Sequence, residues 1–273
     1  MLGAIIGDYV GSAYEDVGIK TTDFPWTHAH SNFTDDTVLT VAVADALLHG
    51  FDMANTLRCY GRAHMDAGYG VRFLCWIINE QAPSDSYGNG SAMRVSPCGW
   101  LYNSMEETLA KARMSALPTH AHPEGIKGAE AIASCIFLLR RGADKGVIHR
   151  HVHDVYYPLD FTLDSIRATY KFDASCQGSV PQAIEAFLES WDFESAVRLA
   201  VSLGGDSDTL AAMAGSLAEA AYGIPDALAR PIIRKLPDDL AAVLKAFFFA
   251  TGRTLPEGSR RSRKDGANFG MNA

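Results

Sequence analysis

The chain is organised around the stretch Gly204-Gly205-Asp206-Ser207-Asp208-Thr209 and the alanine-rich residues 210–223 that follow it. Two carboxylates stand two positions apart, directly after a Gly-Gly break and before a helix-forming segment. At a helix N-terminus, unpaired backbone N–H groups and the helix dipole favour carboxylates and hydroxyls. The stretch therefore predicts a helix start, and a simple cap is one interpretation of its Asp and Thr residues.

A second stretch of the same design lies near the beginning of the chain. Thr34-Asp35-Asp36-Thr37 precedes an apolar run without proline, which predicts a helix from Asp35 to about His49 that ends at Gly50. If both helix starts meet, four carboxylates share one small volume, which is unfavourable unless they are protonated or bound to cations. Hard oxygen ligands without His or Cys suit Mg²⁺, Mn²⁺ or Ca²⁺ rather than Zn²⁺. We therefore expect a site for one or two divalent cations.

The first segment of the chain predicts a buried helix with two distinct faces. Small residues recur every four positions and share one face, where another backbone can come close: Gly3, Gly7 and Gly11. Asp8, Ser12 and Glu15 follow helical spacing and form a polar stripe on a mostly apolar helix. We interpret this stripe as facing a polar pocket, with Glu15 at its end. A solvent-exposed stripe is the alternative.

Together these motifs resemble those of a known family, the ADP-ribosylglycohydrolases. The matching segments occur in the family's order and are residues 3–15, 34–37, 86–94, 117–120 and 204–209. The resemblance implies a hydrolase that cleaves the bond at the anomeric ribose carbon and releases ADP-ribose. Its acceptor would be an ADP-ribosylated protein, nucleic acid or small molecule.

The resemblance also implies roles for individual residues. Two divalent cations, Mg²⁺ or Mn²⁺, are expected on Thr34, Asp35, Asp36, Asp206, Asp208 and Thr209. Glu15 is similar to a glutamate near the scissile bond and is expected to carry the proton, with Asp35 or Asp36 sharing this work. The expected contacts with ADP-ribose are Ser86, Tyr87, Gly88, Asn89, Gly90, Met93 and His120.

Residues 83–90 are rich in Ser, Asn and Gly and predict a loop. Gly88 and Gly90 permit backbone conformations in which successive N–H groups point to an anion, and we expect a positive φ at Gly88. No Gly-Lys-Ser/Thr follows, so this is not a P-loop. A plain surface turn is the alternative, whereas the family resemblance makes this the loop that holds the diphosphate.

Composition limits the remaining function classes. Hydrophobic residues make up 48% of the 273 residues and charged residues 21%, as is typical of a globular protein. The net charge of −8 argues against a stable nucleic-acid partner, although a nucleic-acid substrate at one pocket stays open. Five cysteines form no C-x-x-C pair and are expected to be reduced. The apolar start is too short for a membrane span, so we expect a cytoplasmic protein without a membrane partner.

No strand-like alternation of useful length occurs, so we expect an all-α fold. On the family resemblance, this is a single-domain orthogonal helical bundle over residues 1–255, with its metal site at helix N-termini. A polar, basic tail follows over residues 256–273. The alternating His149, His151 and His153 would share one face of a strand and could then bind Zn²⁺, but a solvated linker is preferred.

Two other functions compete with the hydrolase interpretation. One is a non-catalytic protein, either an ADP-ribose binder or a crystallin-like structural protein. The other is a metal-dependent nucleotide pyrophosphatase, which four carboxylates and a pair of cations also fit. The product distinguishes the two enzymes, since free ADP-ribose indicates a glycohydrolase and AMP a pyrophosphatase.

Overall fold

Helices and connecting loops make up the part of the chain that the computed structural model describes, residues 1–79 and 84–256. These ranges contain fifteen helices and no strand, only two isolated β-bridges, Asp85 with His120 and Gly88 with Ser175. The predicted all-α fold is confirmed. The helices are α1 Leu2–Gly11, α2 Asp35–His49, α3 Met53–Ala63, α4 Val71–Asn79, α5 Gly90–Met93, α6 Ser96–Leu101, α7 Met105–Ala116, α8 Pro123–Leu139, α9 Lys145–Val155, α10 Leu163–Arg167, α11 Cys176–Glu189, α12 Phe193–Val201, α13 Ser207–Tyr222, α14 Asp226–Ile233 and α15 Asp238–Ala250.

Helices α1 and α13 form the centre of the fold. Every residue of α1 is buried, and α13 is buried from Ser207 through Glu219. A helix buried on all sides needs neighbours on all sides. Helix α13 packs against α1, α8, α11 and α12, while α2 packs against α1, α3 and α15. The starts of α2 and α13 are therefore both held by contacts with α1.

The predicted glycine face of α1 is confirmed, and it lies directly against α13. A β-carbon added at Gly7 would overlap the carbonyl group of Ala211. One added at Gly3 or Gly11 would likewise overlap a backbone carbonyl of α13. Since no side chain fits at these three levels, the two helices are in backbone contact along the whole length of α1.

Hydrogen bonds fasten both ends of this helix pair. At one end, the Gly3 N–H donates to the Glu219 carboxylate at 2.8 Å, and Arg253 donates to the same group at 2.7 Å. Burial raises the pKa of Glu219, but the Met1 ammonium and Arg253 outweigh it and lower that pKa to about 2. At the other end, the Ser207 hydroxyl donates to the Gly11 carbonyl at 2.9 Å. The register between α1 and α13 is thus fixed at both ends.

The alternating histidines lie on a helix, so the preferred linker is wrong, and the strand that the Zn²⁺ alternative required is not formed. All three belong to α9: His149, His151 and His153. The Asp144 carboxylate caps this helix by accepting the Val147 N–H at 2.8 Å. Ile148 and Val152 are buried one turn apart, so the 3.6-residue period of the apolar residues determined the structure here.

Two further expectations concern the chain ends and membranes. The predicted tail, residues 256–273, lies outside the described residues except for Pro256. Among the helices described, none combines the length and apolar character needed to cross a bilayer.

Gly7→Ala is expected to lower the free energy of unfolding by about 3 kcal/mol, because the new methyl group would overlap the α13 backbone. A helical Gly→Ala change without such a clash instead stabilises by up to about 1 kcal/mol. Urea unfolding measures the difference. Gly70→Ala, in the loop before α4, is the control for an added methyl group without a clash, since nothing lies within 4 Å of it. Equal free energies of unfolding for Gly7→Ala and the parent protein would contradict the backbone contact.

Candidate functional site

The N-termini of α2 and α13 meet beside the C-terminal end of α1. The Thr209 hydroxyl at the start of α13 donates to the Asp36 carboxylate at the start of α2, at 3.1 Å. Both helix starts face one cavity of about 430 Å³. The structure thus brings together the two stretches that the sequence singled out.

Most of the predicted site residues line this cavity. They are Glu15, Asp35, Asp36, Ser86, Gly88, Asn89, Gly90, Met93, His120, Asp206, Asp208 and Thr209. Thr34 and Tyr87 are not among the lining residues. Thr34 caps α2 instead, with its hydroxyl accepting the Asp36 N–H at 3.3 Å. Tyr87 is half exposed beside the cavity, with its ring 5.5 Å from that of His122.

The Gly-Gly break positions the two carboxylates of α13. Gly204 and Gly205 have φ values of 65° and 90°, in the region that side chains disfavour. They also lack room for a side chain, because a β-carbon would stand 3.0 Å from the carbonyl oxygen of Gly18 or of Lys171, respectively. The break is therefore held between two loops, and it turns the chain so that Asp206 enters the cavity.

Asp8 organises the start of α2. Its fully buried carboxylate accepts the N–H groups of Thr34 and Thr37 at 3.0 and 3.1 Å, as well as both threonine hydroxyls. A carboxylate from another helix thus satisfies donors that α2 leaves unpaired. One turn later, the Ser12 hydroxyl donates to the Asn32 carbonyl at 2.9 Å. Asp8 and Ser12 therefore fasten the segment that leads into α2. The prediction that the stripe faces a pocket holds only for Glu15, since neither Asp8 nor Ser12 lines the cavity.

Glu15 lies beyond the helix on which the sequence placed it. Helix α1 ends at Gly11, and Glu15 follows in a turn. Its carboxylate comes within 4.8 Å of those of Asp206 and Asp208, which makes the three a candidate metal-binding group. Glu15 was predicted to act apart from the cation ligands, but its carboxylate lies close to those of two of the predicted ligands, Asp206 and Asp208.

Burial dominates the electrostatics of the acidic cluster. It raises the pKa of Asp35, Asp36 and Asp206 well above the usual range, and the nearby Asp208 raises them further. Burial, and after it the charge of Asp208, also raises the pKa of Glu15, to about 7. These groups are unfavourable together as anions, so the cluster must hold either protons or cations at neutral pH.

The donor set fits a divalent cation of the Mg²⁺ type. Its members are carboxylate and hydroxyl oxygens, which Mg²⁺ and Mn²⁺ prefer. Asp36 is buried and its Oδ1 atom has no hydrogen-bond partner, although buried carboxylate oxygens are normally paired. Asp206 is oriented from outside the cluster by the Asn89 amide, which donates to it at 2.7 Å. A bound cation would be a partner for the unpaired Oδ1 of Asp36, beside the oriented carboxylate of Asp206.

The loop over residues 86–90 is bonded to the segment at residues 174–176 and to itself. The Asn89 N–H donates to the Ala174 carbonyl at 2.8 Å, and the Gly88 N–H donates to the Ser86 hydroxyl at 3.1 Å. These two N–H groups are therefore not available to an anion. The expectation of a positive φ at Gly88 is wrong, since neither Gly88 nor Gly90 has one. At Gly90, the closeness of the His120 ring explains the glycine instead, because a β-carbon there would stand 3.1 Å from that ring.

Two residues that the sequence analysis did not single out also line the cavity, Arg94 and Thr119. Arg94 is fully buried, and its Nη2 donates to the Thr119 hydroxyl at 2.8 Å. That hydroxyl lies 2.7 Å from Nδ1 of His120. In the sequence, Arg94 is notable only as a charged residue among apolar and small ones. That pattern does not identify its partner Thr119, which is 25 residues away.

The chain is similar in sequence and in structure to known proteins over most of its length. A family model described as ADP-ribosylglycohydrolase matches residues 1–254. The chain is 28% identical to "ADP-ribosylhydrolase ARH3" of Homo sapiens, over 82% of this chain and 84% of that protein. It is 27% identical to "ADP-ribosylarginine hydrolase Tri1" of Pseudomonas putida (strain GB-1), over 82% of this chain and 70% of that one. A solved structure titled "ADP-ribosylglycohydrolase-related protein complex" superposes with a TM-score of 0.70 and 26% identity, covering 92% of this chain and 97% of its own.

Mg²⁺ is expected to stabilise the protein more at pH 8 than at pH 5. Burial, with a contribution from Asp208, raises the pKa of Glu15 to about 7 and those of Asp35, Asp36 and Asp206 well above the usual range, so the metal-free folded protein keeps protons that the unfolded chain has released. Its stability therefore falls as the pH rises from about 4 to about 7. Mg²⁺ replaces those protons and restores the stability at high pH.

Thermal unfolding with Mg²⁺ or with EDTA measures this effect at both pH values. The Tm is expected to rise by several degrees with Mg²⁺ at pH 8 and hardly at all at pH 5. Asp208→Asn should remove the Mg²⁺-dependent rise and increase the Tm of the metal-free protein, because it relieves repulsion. An equal rise at the two pH values would contradict the assignment of the cluster as a cation site.

Proposed function

The chain belongs to the ADP-ribosylglycohydrolase family and is an enzyme that removes ADP-ribose, and from this premise we propose how it does so. It hydrolyses the bond between the anomeric ribose carbon of ADP-ribose and an acceptor group, with the help of two divalent cations. The observation that carries the proposal is the junction of two helix starts at one cavity, where Thr209 donates to Asp36 at 3.1 Å.

The proposed cation ligands are oxygens at this junction. Five line the cavity, Asp35, Asp36, Asp206, Asp208 and Thr209, and the sixth is Thr34, whose hydroxyl also caps α2. Glu15 is near enough to Asp206 and Asp208 to join them. Mg²⁺ or Mn²⁺ fits the oxygen set and the unpaired Oδ1 of Asp36. When bound, such ions supply Lewis-acid chemistry, since they orient sugar hydroxyls and make a water easier to deprotonate.

Glu15 is the proposed proton carrier. Its carboxylate is partly exposed to the cavity, and its pKa of about 7 in the metal-free protein suits a group that both accepts and donates protons near neutral pH. Asp35 or Asp36 shares this work. Cleavage at an anomeric carbon passes through an oxocarbenium-like state, so it needs a deprotonated water and a protonated leaving group.

The other wall of the cavity is the proposed site for ADP-ribose. Its contacts are Ser86, Tyr87, Gly88, Asn89, Gly90, Met93 and His120, of which Tyr87 lies half exposed at the side. The Met93 sulfur lies 3.9 Å from the Thr209 hydroxyl, so this wall adjoins the acidic cluster. In the proposed complex, the sugar end of ADP-ribose lies next to the carboxylates.

The acceptor is an ADP-ribosylated protein, nucleic acid or small molecule. The relatives differ in this respect, because the name of one specifies arginine and that of the other specifies no acceptor. Five free cysteines fit a reducing compartment, so we place the protein in the cytoplasm. A panel of arginine-, serine- and phosphate-linked ADP-ribose substrates, each assayed with and without EDTA, identifies the acceptor.

We expect this panel to yield free ADP-ribose as the product, and only when a divalent cation is present. AMP as the product would replace the proposal with a pyrophosphatase. Binding of ADP-ribose without turnover of any substrate would favour the non-catalytic alternative. Full activity after exhaustive chelation would show that the reaction does not require divalent cations.

Glu15→Gln is expected to lower turnover by about 10²–10⁴-fold, because the amide keeps the shape of the side chain but carries no proton. Calorimetry should show ADP-ribose affinity within a few-fold of the parent protein. Asp16→Asn is the matched control, since Asp16 is an exposed neighbour that does not line the cavity. If metal content and affinity collapse together with turnover, Glu15 is a ligand or structural residue and the proton carrier must be sought at Asp35 or Asp36.

A further inference from the structure

A fully buried arginine without a carboxylate partner lies beside the cavity. Arg94 has no exposed surface and forms no ion pair with any residue in ranges 1–79 and 84–256. Its Nη2 group donates to the Ser115 carbonyl and to the Thr119 hydroxyl, each at 2.8 Å, while Nε and Nη1 lack partners. Burying an unpaired charge is unfavourable, so this arginine is not explained by stability alone.

The hydrogen bonds from Arg94 to His120 favour one assignment of protons, namely the one in which the Thr119 hydroxyl hydrogen has an acceptor. A guanidinium group only donates, so Thr119 Oγ1 accepts from Arg94. The threonine's own proton then has His120 Nδ1 as its acceptor, 2.7 Å away, and no other acceptor within the described residues. Because Nδ1 accepts this hydrogen bond, a neutral His120 ring carries its proton on Nε2.

The Nε2 side of the ring faces the cavity and the glycine positions of the loop. A β-carbon added at Gly90 would lie 3.1 Å from Nε2, and one added at Gly88 would lie 3.5 Å away. Neither position has a side chain, and the described residues provide no hydrogen-bond acceptor for Nε2. This N–H is therefore open to a ligand in the cavity, which His120 lines.

The ring is also kept neutral. Burial lowers the pKa of His120 well below its usual range, and the neighbouring Arg94 charge lowers it further. At neutral pH the group is therefore a fixed donor at Nε2 and does not act as an acid.

We propose that Arg94 and Thr119 are positioning residues that lock His120 as the Nε2–H tautomer, which donates a hydrogen bond to an oxygen-rich anionic ligand. The three groups form a chain polarised by the Arg94 charge, and such polarisation strengthens the last donor in the chain. A diphosphate or ribose oxygen of ADP-ribose is the matching acceptor. The identity of that ligand rests on the proposed function, whereas the tautomer does not.

Long-range ¹H–¹⁵N NMR of the ligand-free protein with labelled histidines measures the tautomer directly. Comparison with His120→Gln identifies the His120 signals among those of the nine histidines. A protonated Nε2 and an unprotonated Nδ1, unchanged between about pH 6 and pH 8, is the expected result. A proton on Nδ1, an even mixture of tautomers or a charged ring would overturn the proposal.

A matched pair of variants tests the role of the hydroxyl. Thr119→Val removes it at nearly constant volume, and Thr119→Ser keeps it. Thr119→Val is expected to give a mixture of His120 tautomers and an ADP-ribose Kd about tenfold higher, with metal content unchanged. Thr119→Ser should keep the parent tautomer and a Kd within about twofold.

A Thr119→Val protein with the parent tautomer and the parent affinity would overturn the proposal. If Thr119→Val fails to fold, the tautomer of the parent protein still decides, because it is measured without any variant at this position. If the parent protein shows the Nε2–H tautomer but does not bind ADP-ribose, the proposed function fails and the positioning role stands.

Discussion

Backbone contact between α1 and α13 is the constraint on which the rest of the site depends. Gly3, Gly7 and Gly11 let the two helices touch without side chains between them. This contact puts the start of α13 beside the end of α1, where Ser207 bonds to Gly11. A second face of α1 carries Asp8, which binds the start of α2. One helix therefore holds two helix starts in place, and the cavity lies where they meet.

The arrangement concentrates negative charge that the protein alone does not neutralise. Helix N-termini and the bonds to Asp8 offset a part of the repulsion. Burial nevertheless keeps the pKa of each cluster carboxylate high, and Asp36 retains an oxygen without a partner. Perturbed acids gathered in a cleft are typical of a functional site rather than of a stability device. The site is thus unfavourable when empty of protons and cations, and favourable when it holds them.

Local spacing predicted several elements correctly but not their partners. Helix α2 was predicted with its observed bounds, because Thr34 caps its start and Gly50 ends it with a φ of 69°. The glycine face of α1 and both helix starts followed from spacing in the same way. By contrast, the contacts of Glu15 and of Arg94 join residues far apart in sequence, which periodicity does not report. At the histidines of α9, a two-residue alternation was misleading because buried residues with a helical period lie between them.

The most direct test of the central claim is a crystal structure with Mn²⁺, with the ions located by their anomalous scattering. The claim is that the starts of α2 and α13 jointly hold the cations. We predict anomalous peaks in the cavity, with oxygens of Asp35 or Asp36 from α2 and of Asp206 or Asp208 from α13 in the coordination shells. A cavity without an anomalous peak at saturating Mn²⁺, or an ion held by α13 alone, would contradict the account.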